Sequence, residues 1–189
     1  MIQKEKYILR RKVFKFMGAS FDIFDANNNV VLHAAQKAFK LKEDIRLYTN
    51  KEKTEEVLLI QARAILDFSA AYDVVDSKTG LRIGTLKRKG WNAFVRDEWT
   101  IMDKNEQEVG ICIEDSMAMA LVRRLLMSLI PQNYDMMIRG VRMVDIRQRF
   151  NPFIYKLEID LTTWQAEDID LRLGVAAAVL IAAIEGRQN

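Results

Sequence analysis

"VAAAVLIAAI", Val175–Ile184, is the stretch whose reading decides the fold. It carries no charge, no proline and no hydroxyl, and nothing else in the 189 residues is so apolar. The uncharged run reaches back to Leu173, and these twelve residues make about 18 Å of helix at 1.5 Å per residue. A hydrocarbon core of about 30 Å needs about 20 residues, so the run is too short to be a transmembrane segment. An interfacial helix needs a polar face, and between Arg172 and Glu185 no face is polar. A helix that is apolar all round belongs inside a protein. Asp168 and Asp170 precede it, where a helix N-terminus favours negative charge, and Gly186 follows, where a helix end favours glycine. Gly174 and the alanines keep it thin, so strands can close around Leu173, Gly174, Val175, Ala178, Val179, Leu180, Ile181 and Ile184.

The strands are announced by an internal repeat. "FDIFDANNNVV" from Phe21, "YDVVDSKTGLRI" from Tyr72 and "WTIMDKNEQEVGI" from Trp99 each open on an aromatic, alternate apolar residues, and place Asp25, Asp76 or Asp103 before a polar loop. "IRLYTNKEKTEEVLLI" from Ile45 is a degenerate copy, with Thr49 at the aspartate position and two extra loop residues. Each unit is a β-hairpin: the Asp accepts hydrogen bonds from backbone amides ahead of it, and Asn29 or Gly80 takes the positive φ that closes such a turn. "YILRRKVF" (Tyr7–Phe14), "YDMMI" and "VRMVDIRQ" flanking Gly140, and the alternating "FIYKLEIDL" (Phe153–Leu161) add four strands. About twelve strands curl or close to remove their edges. "EDSMAMALVRRLLMSLI" breaks the period of two. Its Ala118, Leu121, Val122, Leu125, Leu126 and Leu129 predict an amphipathic helix on the sheet that stops at Pro131. The expected fold is therefore mainly β with two helices: a closed antiparallel barrel of about twelve strands around a buried C-terminal hydrophobic helix, in a single domain spanning 1–189.

Composition narrows the function. Lys and Arg exceed Asp and Glu by 29 to 26, which argues against a nucleic-acid partner. Cys112 is the one cysteine, so no internal disulfide forms. "MIQKEKYILRRK" has no apolar region of the kind a signal peptide needs, and cytoplasmic residence, with peripheral attachment to a membrane, is the expectation.

The Asp-turn hairpins, the "YKLEID" strand and the "DIDLRLGVAAAVLIAAIE" ending resemble the LURP-one-related family, whose fold is shared with phospholipid scramblases and the C-terminal domain of tubby proteins. The resemblance covers nearly the whole chain. It implies a closed barrel around a buried helix, and relatives that bind phosphoinositides or act on membranes. The sequence departs from the scramblases in having neither a Pro-rich N-terminal extension nor a cysteine cluster, so scrambling is not expected.

No catalytic or cofactor motif stands out. Asp25, Asn27 and Asn29 have calcium-loop spacing, but Val30 and Gln36 occupy the positions that demand Gly and Glu. His33, the one histidine, reads as an ordinary strand residue, and Cys112 as an inert one between Ile111 and Ile113. Catalytic, metal and cofactor residues are thus expected to be none. Two clusters mix cations with aromatics: Lys87, Arg88 and Lys89 before Trp91, and Arg10, Arg11 and Lys12 before Phe14. The favoured reading is a non-enzymatic binding or scaffold protein that meets anionic membrane lipid through these cations. The alternative is a protein-interaction module using methionines near the late helix, among them Met136, Met137 and Met143, and an enzyme of unspecified chemistry comes third.

Overall fold

The structure, a computed structural model, describes residues 2–14, 18–37, 44–63, 71–89, 98–114, 131–151 and 154–185. Its strands are β1 (Lys6–Phe14), β2 (Gly18–Phe24), β3 (Val30–Lys37), β4 (Asp44–Tyr48), β5 (Glu56–Ala62), β6 (Ala71–Asp76), β7 (Arg82–Arg88), β8 (Glu98–Met102), β9 (Glu108–Glu114), β10 (Asn133–Ile138), β11 (Val141–Arg149) and β12 (Lys156–Asp160), followed by helix α1 (Arg172–Glu185). Each strand pairs antiparallel with its neighbours in sequence, and β1 pairs with β12 to close the barrel. The late amphipathic helix expected before Pro131 lies outside the described residues.

Alternation sorts each strand into a dry and a wet face. Tyr7 and Leu9, Phe21 and Ile23, Ile45 and Leu47, Leu58 and Ile60, Leu157 and Ile159 are at most 1% exposed and face inward. What they face is α1, whose residues from Leu173 to Ala183 are all buried. The helix touches β1, β12 and β7, and β1 and β7 stand on opposite sides of a ring of twelve. Only a helix inside the lumen reaches both. Small residues make the fit: a Cβ on Gly174 would lie 2.8 Å from Leu161 and 2.9 Å from Val144, and one on Gly84 of β7 would lie 2.7 Å from Leu173.

The hairpin grammar appears as one repeated turn. Asp25 accepts from the Asn29 amide at 2.8 Å, Asp76 from Thr79 at 2.8 Å, and Asp103 from Asn105 and Gln107 at 2.8 and 2.9 Å. In the degenerate copy Asn50, one place after Thr49, takes the acceptor role toward Thr54. The left-handed residues are Asn28, Lys53, Gly80 and Glu106, so Asn28 closes the first turn where Asn29 was expected. Asn29 instead uses its backbone N–H and side-chain amide to hold Asp25. Each of these hairpins carries a register shift beside its turn, which adds the local twist a small barrel needs.

These turns crowd one end of the barrel, and the segment 161–171 crosses that end with Leu161, Trp164, Ala166 and Ile169 buried. Asp170 then caps the helix, accepting the Arg172 amide at 2.9 Å. Asp168 pairs instead with Arg139 of the β10–β11 turn. The Arg172 side chain reaches Asp170 at 2.7 Å and Asp76 at 2.5 Å, fastening the helix to the β6–β7 hairpin. The Thr79 amide, then Arg172, hold the Asp76 carboxyl down at about 2. An unfolded aspartate titrates near 3.9, so this contribution is complete above about pH 4 and is lost as pH falls toward about 2. Asp76→Asn is expected to be less stable than wild type at neutral pH, with the difference closing across that window in urea titrations. A difference that stayed constant down to about pH 2 would remove the carboxylate from this role.

Candidate functional site

The outer wall around β12, β1, β2 and β3 gathers the polar side chains that alternation sends outward. Pairing places Arg149 opposite Lys156, Lys156 opposite Arg10, Arg10 opposite Asp22, Asp22 opposite His33, and His33 opposite Tyr48. One lateral row therefore runs from three cations to a carboxylate, an imidazole and a phenol. Phe150, 62% exposed, and Ile154, 45% exposed, flank the cationic end. A surface hollow of about 520 Å³ lies there, lined by Arg10, Arg11, Lys12, Asp22, Phe24, Lys51, Ile154 and Tyr155.

Asp22 is the centre of charge on this wall. It is only 2% exposed although it faces away from the lumen, because neighbouring side chains cover it. His33 Nδ1 lies 2.8 Å away, Lys12 Nζ 3.2 Å and Lys51 Nζ 3.5 Å. Burial pushes the carboxyl up, but the bonds from His33 and Lys12 and the charges of Lys12 and Lys51 outweigh it, and the net shift is down. An ionised carboxylate only accepts, so Nδ1 of His33 donates and Nε2 is left to the neighbouring space. Lys51 comes from the β4–β5 loop, whose two extra residues let it reach over β3.

The two basic clusters sit apart. Arg10 lies 4.3 Å from the centre of the Phe24 ring and donates to Asn28 at 3.0 Å, while Lys12 pairs with Asp22. Arg11 faces inward and is 8% exposed, so it is no surface cation. Lys87 is exposed on β7, Arg88 lies 5.8 Å over Trp99, and Lys89 pairs with Glu98 at 2.5 Å. β7 and β1 belong to opposite walls: Lys87 to Lys89 lie at the barrel end away from the Asp turns, whereas Arg10 reaches Asn28 of the first Asp turn.

Cys112 is fully buried, and burial, with the nearby Asp135, pushes its thiol up to about 12, where it is neither a nucleophile nor a metal ligand. Met136 is fully buried and Met143 is 6% exposed, so these two fill the core rather than form a docking face. Among the described residues no group of three His, Cys, Asp or Glu could hold a metal ion, and no described helix is long and apolar enough to cross a membrane.

Asp22, Lys51, Lys156, Arg149, Phe150 and Ile154 escaped sequence reasoning. The available signal was Asp22 itself, a carboxylate within "FDIFD" that is not the turn aspartate. His33 acquires significance only through its pairing with Asp22.

A closed twelve-stranded antiparallel barrel threaded by its own C-terminal helix, with its chemistry on the outer wall and in surface hollows, defines the class. The LURP-one-related family profile matches residues 5–182, and the chain belongs to that family. No curated protein matches it in sequence.

Proposed function

We propose that this protein is a non-enzymatic binding protein that docks on anionic membrane surfaces. The supporting observation is the juxtaposition of Lys156 and Arg10, in lateral register, with exposed Phe150 and Ile154, while Arg149 beside them pairs with Glu158 at 2.5 Å. Cations draw an acidic leaflet and apolar side chains enter it, and the combination is what a peripheral site needs.

Each cation near an acidic leaflet contributes about 1 kcal/mol. Arg10→Gln with Lys156→Gln is therefore expected to cost about 2 kcal/mol, roughly thirtyfold in vesicle affinity, at an unchanged melting temperature. Cosedimentation with phosphatidylserine vesicles at two salt concentrations reads the effect, and binding should fade with salt. Neutralising Lys87, Arg88 and Lys89 to Gln reports orientation: a barrel standing on the end that carries them loses affinity in this variant, and one lying on its β12–β1 wall loses it only in the first. Wild type that ignores acidic vesicles at low salt would end the proposal.

A further inference from the structure

Next to the membrane-facing patch lies a second hollow, of about 350 Å³, between the β4–β5 loop and the outer faces of β2, β3 and β4. Small-molecule sites begin at about 300 Å³. Its lining includes Ser20, His33, Arg46, Tyr48, Lys51 and Lys53. We propose that this hollow binds a phosphate monoester.

Charge favours an anion. Lys51, Lys53 and Arg46 line the hollow against one carboxylate, Asp44, and Arg46 already holds that carboxylate at 3.1 Å. Arg46 also pairs with Glu56 at 2.8 Å, which leaves Lys53, His33 and the ammonium of Lys51, held 3.5 Å from Asp22, to meet a ligand. His33 is 9% exposed, its Nδ1 is committed to Asp22, and Nε2 has no hydrogen-bond partner among the described residues. Gln36, 5% exposed, lines the hollow too, and its Nε2 is a buried donor without a partner among the described residues, which calls for an acceptor beside His33. A phosphate monoester suits it in either form: imidazolium Nε2 donates to a dianion, and neutral Nε2 accepts the proton of a monoanion. Donors converge from a strand and from two places on a loop, which suits the oxygens of a tetrahedral group better than the plane of a carboxylate.

The loop is built to hold that geometry. Asn50 ties it across to Thr54, accepting the amide at 3.2 Å and donating to the hydroxyl at 2.7 Å. Lys53 sits at φ 59°, a left-handed conformation natural to glycine or asparagine. A lysine there costs stability and places its ammonium beside the Tyr48 ring, 6.0 Å from the centroid. Asp22 is a positioning residue, holding His33 and Lys51 in place.

The source of the ester is either a soluble metabolite or a lipid headgroup, and the proposal stands apart from the docking patch because it does not use Arg10, Arg149 or Lys156. The protein has one histidine, so its ring resonances belong to His33 without assignment. Titration of the full chain with inorganic phosphate and with glycerol 3-phosphate should shift those resonances, while chloride at equal ionic strength should not. Lys51→Gln with Lys53→Gln should weaken the response at least tenfold. Lys53→Gly should weaken it too while melting no lower than wild type, which separates lost affinity from lost folding. Vesicles identify the source: a headgroup ligand makes wild type prefer phosphatidic acid, a monoester, to phosphatidylserine, a diester, and the lysine variant loses that preference. Arg10→Gln with Lys156→Gln should leave the His33 response intact, whatever becomes of membrane docking. The absence of both a phosphate-dependent His33 shift and a phosphatidic acid preference would overturn the proposal, and so would a shift that persists in the double lysine variant.

Discussion

A chain ending at Glu167, without α1, is expected to show no cooperative unfolding transition. Leu173, Val175, Val179, Leu180 and Ile181 are at most 2% exposed. At about 2 kcal/mol each, their burial contributes about 10 kcal/mol, comparable to the entire net stability of a typical domain. The loss is larger than those five side chains, because the inward faces of all twelve strands lose their covering as well. Water would enter the lumen, and no rearrangement of a hydrogen-bonded ring closes a gap the width of a helix. Differential scanning calorimetry on the truncated protein decides it. A sharp transition with native near-ultraviolet circular dichroism would mean that the wall is stable by itself and the helix an accessory.

Gly174→Val is expected to destabilise by about 3 kcal/mol, at the upper end of the usual cost of overpacking a core. A single added Cβ lands 2.8 Å from Leu161 Cδ2 and 2.9 Å from Val144 Cγ2, so valine collides with β11 and with the residue that follows β12. Helix propensity alone points the other way, since leaving glycine favours a helix by up to about 1 kcal/mol. The two effects thus have opposite signs and the steric one wins. Val144→Ala in the same chain should restore part of the loss, and a double-mutant cycle measures how much. Should Gly174→Val prove neutral or stabilising, the helix does not approach β11 and Leu161 as closely as described.

The barrel was legible because its signals are local. Length and the absence of charge put Leu173–Ile184 inside something, and the aspartates of the repeat marked the turns. The outer wall was not legible, because it is a product of pairing. Arg10 and Lys156 are distant in the chain and meet only when β1 closes on β12. Asp22 and His33 meet because β2 and β3 pair in one register; a slip of one residue would turn His33 into the lumen. Arg11 shows the converse: its neighbours in sequence are surface cations, yet strand parity sends it inward. The extra length of the β4–β5 loop was visible, but that it carries Lys51 across to Asp22 depended on where the loop lies.

Closing the ring by joining Lys6 to Asp160 also orders events in time. The hairpins can form as each is synthesised, since their pairings are local, but each then presents an apolar face with nothing against it. The helix that covers those faces follows every strand in the chain. Contacts so far apart in sequence form slowly, and unprotected strands are prone to aggregate while they wait. Nascent chains of this protein therefore pass through an interval in which chaperone binding competes with self-association, and that interval lasts until the segment after β12 has emerged.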